Sequence, residues 1–172
     1  MPVMNWKTRI IGHGNEDPND LLANPRNWRI HPKAQQDALA GALDQVGWVQ
    51  QVTVNKTTGH LVDGHLRVEL ALRREEPTVP VTYVELTPEE EGLVLASLDP
   101  IAAMAATDKE QLARLLHEVS ANDAALVQAL ADLASSTGAV VPNFEPVDMS
   151  DQGRLDERKH IVCPNCSHEF AP

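Results

Sequence analysis

The chain has 172 residues, the length of one domain with a short appendage, and two full enzymes would not fit in it. Hydrophobic residues make up 42% of the chain, and no apolar run approaches the roughly 18 residues that cross a bilayer, so we expect no membrane-spanning segment. The net charge of −11 argues against a protein that coats nucleic acid.

This charge is divided unevenly along the chain. Residues 1–74 carry 9 Lys/Arg against 7 Asp/Glu, whereas residues 75–172 carry 5 against 18. An anionic ligand such as a nucleotide or a DNA strand therefore fits the first half better than the second. The first 14 residues lack the basic segment, apolar core and cleavage site of a signal peptide, so we expect a cytoplasmic protein with reduced cysteines.

The first 86 residues alternate between strand and helix patterns. Apolar positions spaced three and four apart predict a helix, and the run over 24–32, with two prolines, predicts an ordered loop. Pro80 lies inside a β-rich run and favours an edge strand there. In chain order, the predicted elements are a strand over 3–13, a helix over 33–47, strands over 49–55 and 60–62, a helix over 63–74 and a strand over 78–86.

The remainder of the chain is helical and then irregular. Thr87 to Glu90 forms a capping box with proline at the first helical position, which predicts a helix that runs toward Asp99. Two amphipathic helices are predicted over 108–120 and 122–135. The expected organisation is a first domain over 1–105, an acidic helical segment over 106–135, a linker over 136–153 and a knuckle-like tail over 154–172.

A five-residue motif at the start of the second predicted helix is the most informative feature for chemistry. It reads Asp63-Gly64-His65-Leu66-Arg67. A helix N-terminus preceded by glycine offers free backbone N–H groups and the positive end of the helix dipole, which together favour an anion. Arg67 can make a forked contact with a phosphate and His65 can donate or exchange a proton. Asp63 fits such a site if it caps the helix or holds a magnesium ion.

The same motif also has a plainer explanation. An aspartate at the cap, a glycine in the turn and a salt-bridging arginine occur at many helix starts that bind no ligand. Trp28 and Trp48 could stack on a base, although aromatic residues in such places are more typical of loop or core anchors. The acidic run Glu89 to Glu91 is explained by the helix dipole and requires no functional role.

The order of elements around the motif resembles the N-terminal domain of the ParB/sulfiredoxin-like superfamily. The similar stretch runs from Leu22 to about Ala105, roughly half of the chain. Its shared features are, in order, Asn24-Pro25-Arg26-Asn27-Trp28-Arg29, a helix, Gly47-Trp48-Val49-Gln50-Gln51-Val52-Thr53-Val54, a turn, Val62-Asp63-Gly64-His65-Leu66-Arg67, and Val79-Pro80-Val81.

This resemblance implies an α+β fold, in which a small mixed sheet packs against helices and is followed by a short helical segment and the tail. It implies that the loop carrying Arg26, Arg29 and His31 faces the motif. Members of the superfamily include partition proteins that bind and hydrolyse CTP, sulfiredoxins, free-serine kinases and nuclease-like proteins. Many uncharacterised members resemble phage or prophage proteins associated with DNA methylation.

The motif departs from each of these branches. Partition proteins have Gly-Glu-Arg-Arg where this chain has Gly64 to Arg67, so one of two paired arginines is missing. Sulfiredoxins carry a catalytic cysteine just before their His-Arg pair, a position without a cysteine here, and the kinase-like branch has a second histidine where Leu66 stands. The helices over 108–135 carry two basic residues against five acids, a poor surface for the DNA-reading module of partition proteins.

Three functions remain as hypotheses. The first is a nucleoside triphosphate site with magnesium, or a DNA phosphate site, in phage or prophage DNA metabolism. In it Gly64, His65, Arg67, Arg26 and Arg29 would contact phosphate, and Asp63 and His65 would be catalytic in hydrolysis or phosphotransfer. The second is a non-catalytic adaptor for DNA, for a DNA methyltransferase or for another phage protein, with a homodimer as one arrangement. The third is a metal-dependent nuclease that uses Asp63, His65 and Glu69.

The tail carries a separate candidate site. Cys163 and Cys166 form a Cys-x-x-Cys pair, which is half of a zinc ribbon. His160 and His168 could supply the other two ligands, or two chains could share one ion across a dimer. A metal-free knuckle that persists as a tail explains the same residues.

Overall fold

The structure, a computed structural model, describes residues 5–139, 161–162, 166 and 169–170. The chain divides into two compact units, residues 1–141 and residues 142–172. Across the described residues, none of the helices has both the length and the apolar character needed to cross a membrane.

A mixed four-stranded sheet forms the centre of the first unit. Its strands are β1 (Ile10–Glu16), β2 (Val52–Asn55), β3 (Leu61–Asp63) and β4 (Val79–Val84). Their order across the sheet is β1-β4-β2-β3, with β4 antiparallel to β1 and parallel to β2, and β2 antiparallel to β3. This sheet and the helices around it confirm the predicted α+β fold.

Five helices accompany the sheet within the described part of the chain. Capping accounts for several of their starts: Thr87 and Glu90 form the predicted capping box of the third helix, and Asp108 and Asp123 cap the next two. The third helix continues past Pro100 instead of ending near Asp99. The helices are α1 (Lys33–Val46), α2 (His65–Arg73), α3 (Pro88–Ala103), α4 (Lys109–Glu118) and α5 (Ala124–Thr137), with a short 3-10 helix at Pro18–Asp20.

β-branched and leucine side chains fill both faces of the sheet. Leu61 and Val62 are adjacent in β3 and belong to different buried clusters, because successive strand side chains point to opposite faces. The larger cluster packs α2 against the sheet and comprises Val52, Val54, Leu61, Val68, Ala71, Val79 and Val81.

Two strand predictions were wrong in detail. The first strand covers 10–16 and not 3–13. The strand that holds Pro80 lies inside the sheet and not at its edge. Pro80 is tolerated there because β2 first pairs with β4 at Val81, so at Pro80 the only neighbour in the sheet is β1 and no bond to β2 is lost.

The acidic helical segment packs against the sheet domain. The Gln45 side chain at the end of α1 donates to the Ser120 carbonyl at 2.7 Å and accepts from the Asn122 N–H at 3.1 Å. Asp123 lies so close to Gly41 of α1 that a Cβ there would be 2.4 Å from its Oδ1. Glycine at position 41 therefore allows α5 to approach α1.

The second unit contains a short antiparallel strand pair, β5 (Ile161–Val162) and β6 (Glu169–Phe170). Cys166 lies in the turn between them with its thiol exposed and free. The other three predicted zinc ligands, His160, Cys163 and His168, lie outside the described residues, so zinc binding stays a prediction.

Candidate functional site

The N-terminus of α2 is an open helix end. Gly64 precedes the helix with a φ of +90°, and a Cβ at that position would lie 2.6 Å from Val52 Cγ1 in the core. Both the backbone conformation and the contact require glycine. The first intrahelical bond runs from the Val68 N–H to the Gly64 carbonyl, and no side chain within residues 5–139 caps the helix. The N–H groups of residues 65–67 therefore remain available to an anion.

A cleft of about 140 Å³ opens at this helix end. The 24–32 loop, named the site loop below, forms one wall, α1 contributes two side chains and α3 contributes one. The lining residues are Asn27, Arg29, His31, Gln35, Leu39, Asp63, Gly64, His65, Leu66, Arg67 and Asp99. The structure thus brings together Asp63, Gly64, His65, Arg67 and Arg29 of the sequence-predicted site.

Hydrogen bonds to two side chains hold Arg67 in place, but one of its N–H groups has no partner among the described residues. Its Nη2 donates to Asp63 Oδ2 at 2.8 Å and its Nη1 donates to Gln50 Oε1 at 3.0 Å. Its Nε is buried without a hydrogen-bond partner among the described residues. The carboxylate of Asp63 therefore orients Arg67, and one buried N–H of the guanidinium is left for a further acceptor.

The imidazole of His65 is partly buried and accepts a backbone hydrogen bond. Burial lowers the pKa of His65, the positive charge of Arg29 and a contribution from His31 lower it further, and Asp63 partly opposes them. The Asn24 backbone N–H donates to His65 Nε2 at 3.2 Å. Because Nε2 accepts, the ring carries its proton on Nδ1, which can donate to a ligand oxygen.

The two loop arginines take different positions. The guanidinium of Arg29 lines the cleft, forms an ion pair with Asp99 of α3 and lies 5.5 Å from the centre of the Trp28 ring. Arg26 lies outside the set of cleft residues. Its Nη2 donates to the Pro88 carbonyl at 2.8 Å and to Glu91 Oε1 at 3.1 Å, at the start of α3.

Glu91 is the residue near the site that the sequence analysis missed. Its side chain is 2% exposed and accepts hydrogen bonds from Asn24, Asn55, Thr58 and Arg26. Burial alone would raise the pKa of this carboxyl, but the four hydrogen bonds outweigh burial and lower it to about 2. Its position four residues before the buried Leu95, on the same helix face, was the available signal.

The site loop is attached along that one face of α3. Arg26 contacts Glu91, the Trp28 indole N–H donates to the Leu95 carbonyl at 3.1 Å, and Arg29 pairs with Asp99. Because these α3 positions are spaced four apart, they form one line along the helix. Trp28 is thus a loop anchor, and the attachment carries Arg29 and His31 to the cleft.

Glu69, proposed for a nuclease, lies outside the set of cleft residues and forms an ion pair with Arg73 on the exposed surface of α2. In the part of the chain that the structure describes, no group of three or more His, Cys, Asp or Glu side chains could share a metal ion. These positions do not assemble the metal set that a nuclease needs.

Neither a protein-family model nor a curated protein matches the chain. Solved structures do. The chromosome-partitioning protein ParB from Caulobacter crescentus, crystallised C-terminally truncated with CTP-γ-S, is 18% identical with a TM-score of 0.51, and the match covers 76% of this chain and 73% of that one. A Pnob8-like ParB-N domain is 13% identical with a TM-score of 0.45, covering 96% of this chain and 59% of that one. At these identities the likeness concerns the fold, which is ParB N-terminal-like.

Proposed function

We propose that this chain, with its ParB N-terminal-like fold, binds the phosphates of a nucleoside triphosphate with magnesium in the cleft at the start of α2. The observation that carries the proposal is the open helix end beside an incompletely paired arginine. The N–H groups of residues 65–67 are donors without partners among the described residues, and the side chain of Arg67, whose buried Nε also has no partner among them, lines the same cleft. Donors that converge in this way favour a phosphate.

The cleft is large enough to hold only part of a nucleotide. Pockets that enclose whole small molecules measure about 300–1,000 Å³, whereas this cleft measures about 140 Å³. The cleft therefore accommodates phosphate groups, and the nucleoside extends beyond it. A cytidine nucleotide is the first candidate, because the Caulobacter crescentus relative was crystallised with CTP-γ-S.

Two carboxylates line the cleft and fit a magnesium ion that arrives with phosphates. Magnesium sites of this kind use one or two carboxylates together with phosphate oxygens. Asp63 and Asp99 are the carboxylates available, each now paired with an arginine. If a phosphate replaced Asp63 as the partner of Arg67, the Asp63 carboxylate would be free to hold the ion. Bound magnesium supplies positive charge that offsets the charge of the phosphates.

Four residues then divide three roles. Arg67 and Arg29 contact phosphate oxygens, and the Nδ1–H of His65 donates to one of them or exchanges a proton with the ligand. Gly64 lets the phosphate approach the backbone. We place this activity in the DNA metabolism of a phage or prophage.

A second candidate is a non-catalytic adaptor for DNA, a DNA methyltransferase or another phage protein. It is favoured by apolar side chains that are exposed on α3 and at its C-cap residue, Met104. Leu93, Leu98, Ile101 and Met104 are each more than half exposed. Exposed apolar side chains on one element are typical of protein contact surfaces.

Calorimetric titration separates the two functions. CTP, ATP, GTP and ADP, each with magnesium, are titrated into the wild-type protein, the Arg67→Ala variant and the Arg73→Ala variant. Arg73 is the matched control, because it lies on the same helix and pairs with Glu69 and Gln36 away from the cleft. We expect binding that weakens at least tenfold in Arg67→Ala, about 1.4 kcal/mol, and is unchanged in Arg73→Ala. No binding tighter than millimolar would favour the adaptor.

A further inference from the structure

We propose that Glu91 is a positioning residue of this site, which acts through Asn24 to fix the orientation and the tautomer of His65. Glu91 touches no part of the cleft itself. The role of His65 toward a ligand rests on the proposed function, but its tautomer does not, and the two are tested separately below.

The carboxylate of Glu91 joins two parts of the fold through its two oxygens. Its Oε1 accepts from Asn24 Nδ2 at 2.9 Å and from Arg26 Nη2, both in the site loop. Its Oε2 accepts from Asn55 Nδ2 at 2.8 Å and from the Thr58 hydroxyl, both at the turn between β2 and β3. Glu91 thereby fastens the site loop to the sheet.

Asn24 is the link from this carboxylate to His65. It is 4% exposed, and each of its polar groups has a partner. Its Nδ2 donates to Glu91, its Oδ1 accepts from the Arg26 N–H at 3.0 Å, and its carbonyl accepts from the Asn27 N–H at 3.0 Å. Its own N–H donates to His65 Nε2. With the side chain fixed by Glu91, the backbone N–H has one direction available, toward the imidazole.

The bond to Nε2 selects one form of the imidazole. A ring that accepts at Nε2 is neutral with its proton on Nδ1, and protonation at Nε2 requires the bond to Asn24 to break. The charged and titratable groups that face His65 are Asp63 at the end of β3 and Arg29 and His31 of the site loop. They act on the charge of the ring, whereas Asn24 decides which nitrogen holds the proton.

The environment of Glu91 requires a carboxylate and not an amide. Asn55 cannot turn its oxygen toward Glu91, because its Oδ1 accepts from the Leu86 and Thr57 N–H groups. Asn24 is fixed in the same way by Arg26. A glutamine at 91 would direct its NH₂ group at the NH₂ of one of these asparagines, and both cannot donate to each other. Of the four donors, the Thr58 hydroxyl alone can rotate to accept.

The test observes the imidazole nitrogens of His65 directly, by NMR of ¹⁵N-histidine-labelled full chain at one pH at which the ring is neutral, without nucleotide. In the wild type we expect a protonated Nδ1 and an unprotonated Nε2. In Glu91→Gln we expect a mixture of tautomers, because the donor to Nε2 is no longer held in place. Thr58→Val is the matched control: it removes a bond to the same carboxylate on the sheet side and leaves the His65 tautomer as in the wild type.

Asn24→Ala gives a second route if Glu91→Gln does not fold, and it should produce the same change in tautomer. The proposal is overturned if either folded variant keeps the wild-type tautomer, or if Thr58→Val alters the tautomer equally. Binding of CTP with magnesium is measured on the same samples, with an expected loss of about tenfold in Glu91→Gln and none in Thr58→Val. Absence of binding in the wild type would refute the proposed function. The positioning role of Glu91 would then be decided by the His65 tautomer alone.

Discussion

The carboxylates of Glu91 and Asp63 each pair with an arginine, yet their surroundings differ. Glu91 is buried and receives four donors. Asp63 is partly exposed, and its one close donor is Arg67, which keeps a buried N–H without a partner among the described residues. A fully satisfied carboxylate holds the fold together, whereas an incompletely satisfied ion pair at a cleft can exchange its contacts for a ligand. The N–H groups without hydrogen-bond partners among the described residues therefore indicate where on the molecule a ligand binds.

Removal of the buried carboxylate should have the largest effect. Glu91→Ala leaves four donors without an acceptor, and we expect a loss of about 3–5 kcal/mol in the free energy of unfolding. Asp99→Ala, on the same helix face but with a carboxylate that is more than half exposed, should cost less than about 1 kcal/mol. Urea unfolding of both variants measures the difference. Equal losses would show that the two carboxylates are not as different as their burial indicates.

The same carboxylate, Glu91, should make the free energy of unfolding of the wild-type protein depend on pH in the acid range. The folded-state pKa of Glu91, about 2, lies below its ordinary value of 4.5. The stabilisation is therefore present above pH 4.5 and is lost as the pH falls toward 2, and it amounts to about 3 kcal/mol. Urea unfolding between pH 7 and pH 2 should give a smaller decrease in stability for Glu91→Gln than for the wild type. Parallel curves would contradict a depressed pKa.

The open helix end depends on Gly64. Comparison with a second glycine, Gly59, separates the effect of backbone strain from the effect of the contact with Val52. Gly64 and Gly59 both have positive φ, but a Cβ at 64 meets Val52, whereas no atom of the described chain lies within 4 Å of a Cβ at 59. We expect Gly59→Ala to lower the free energy of unfolding by about 1 kcal/mol from backbone strain. Gly64→Ala should lose about 2 kcal/mol more, from the contact with Val52. Chemical denaturation of the two variants is the measurement, and similar losses would contradict a close approach at 64.

The smallest expected effect concerns the Asp63–Arg67 ion pair. Asp63→Asn removes the negative charge beside Arg67, so affinity for CTP without magnesium should rise about threefold, or 0.7 kcal/mol. With magnesium present, the same variant should bind more weakly than the wild type, because the carboxylate that holds the ion is gone. Glu69→Gln, which changes an ion pair of α2 outside the cleft, is the control. The affinities are measured by calorimetry with and without magnesium. If Asp63→Asn and Glu69→Gln gave the same affinities for CTP, this role for Asp63 would be contradicted.

The site motif could be predicted from the sequence because the residues that define it are adjacent in the chain. A glycine before an amphipathic helix, with Arg67 on the first turn, predicts an open N-terminus from adjacent residues alone. The role of Glu91 was not predicted, because it depends on donors from two distant segments that meet only in the fold. The position of Arg26 follows from the same network. The edge prediction for Pro80 was wrong because strand order, unlike strand content, depends on which strands pair at each residue.

The most direct test of the phosphate site is to follow the backbone amides of the full chain by NMR while CTP with magnesium is added. The account predicts that the largest shift changes occur at His65, Leu66 and Arg67, with the Nε–H of Arg67 and the amides of the site loop also affected. The Arg67→Ala variant should show these changes only at much higher CTP concentrations. Changes confined to other parts of the chain, or none at millimolar CTP, would contradict a phosphate site at the start of α2.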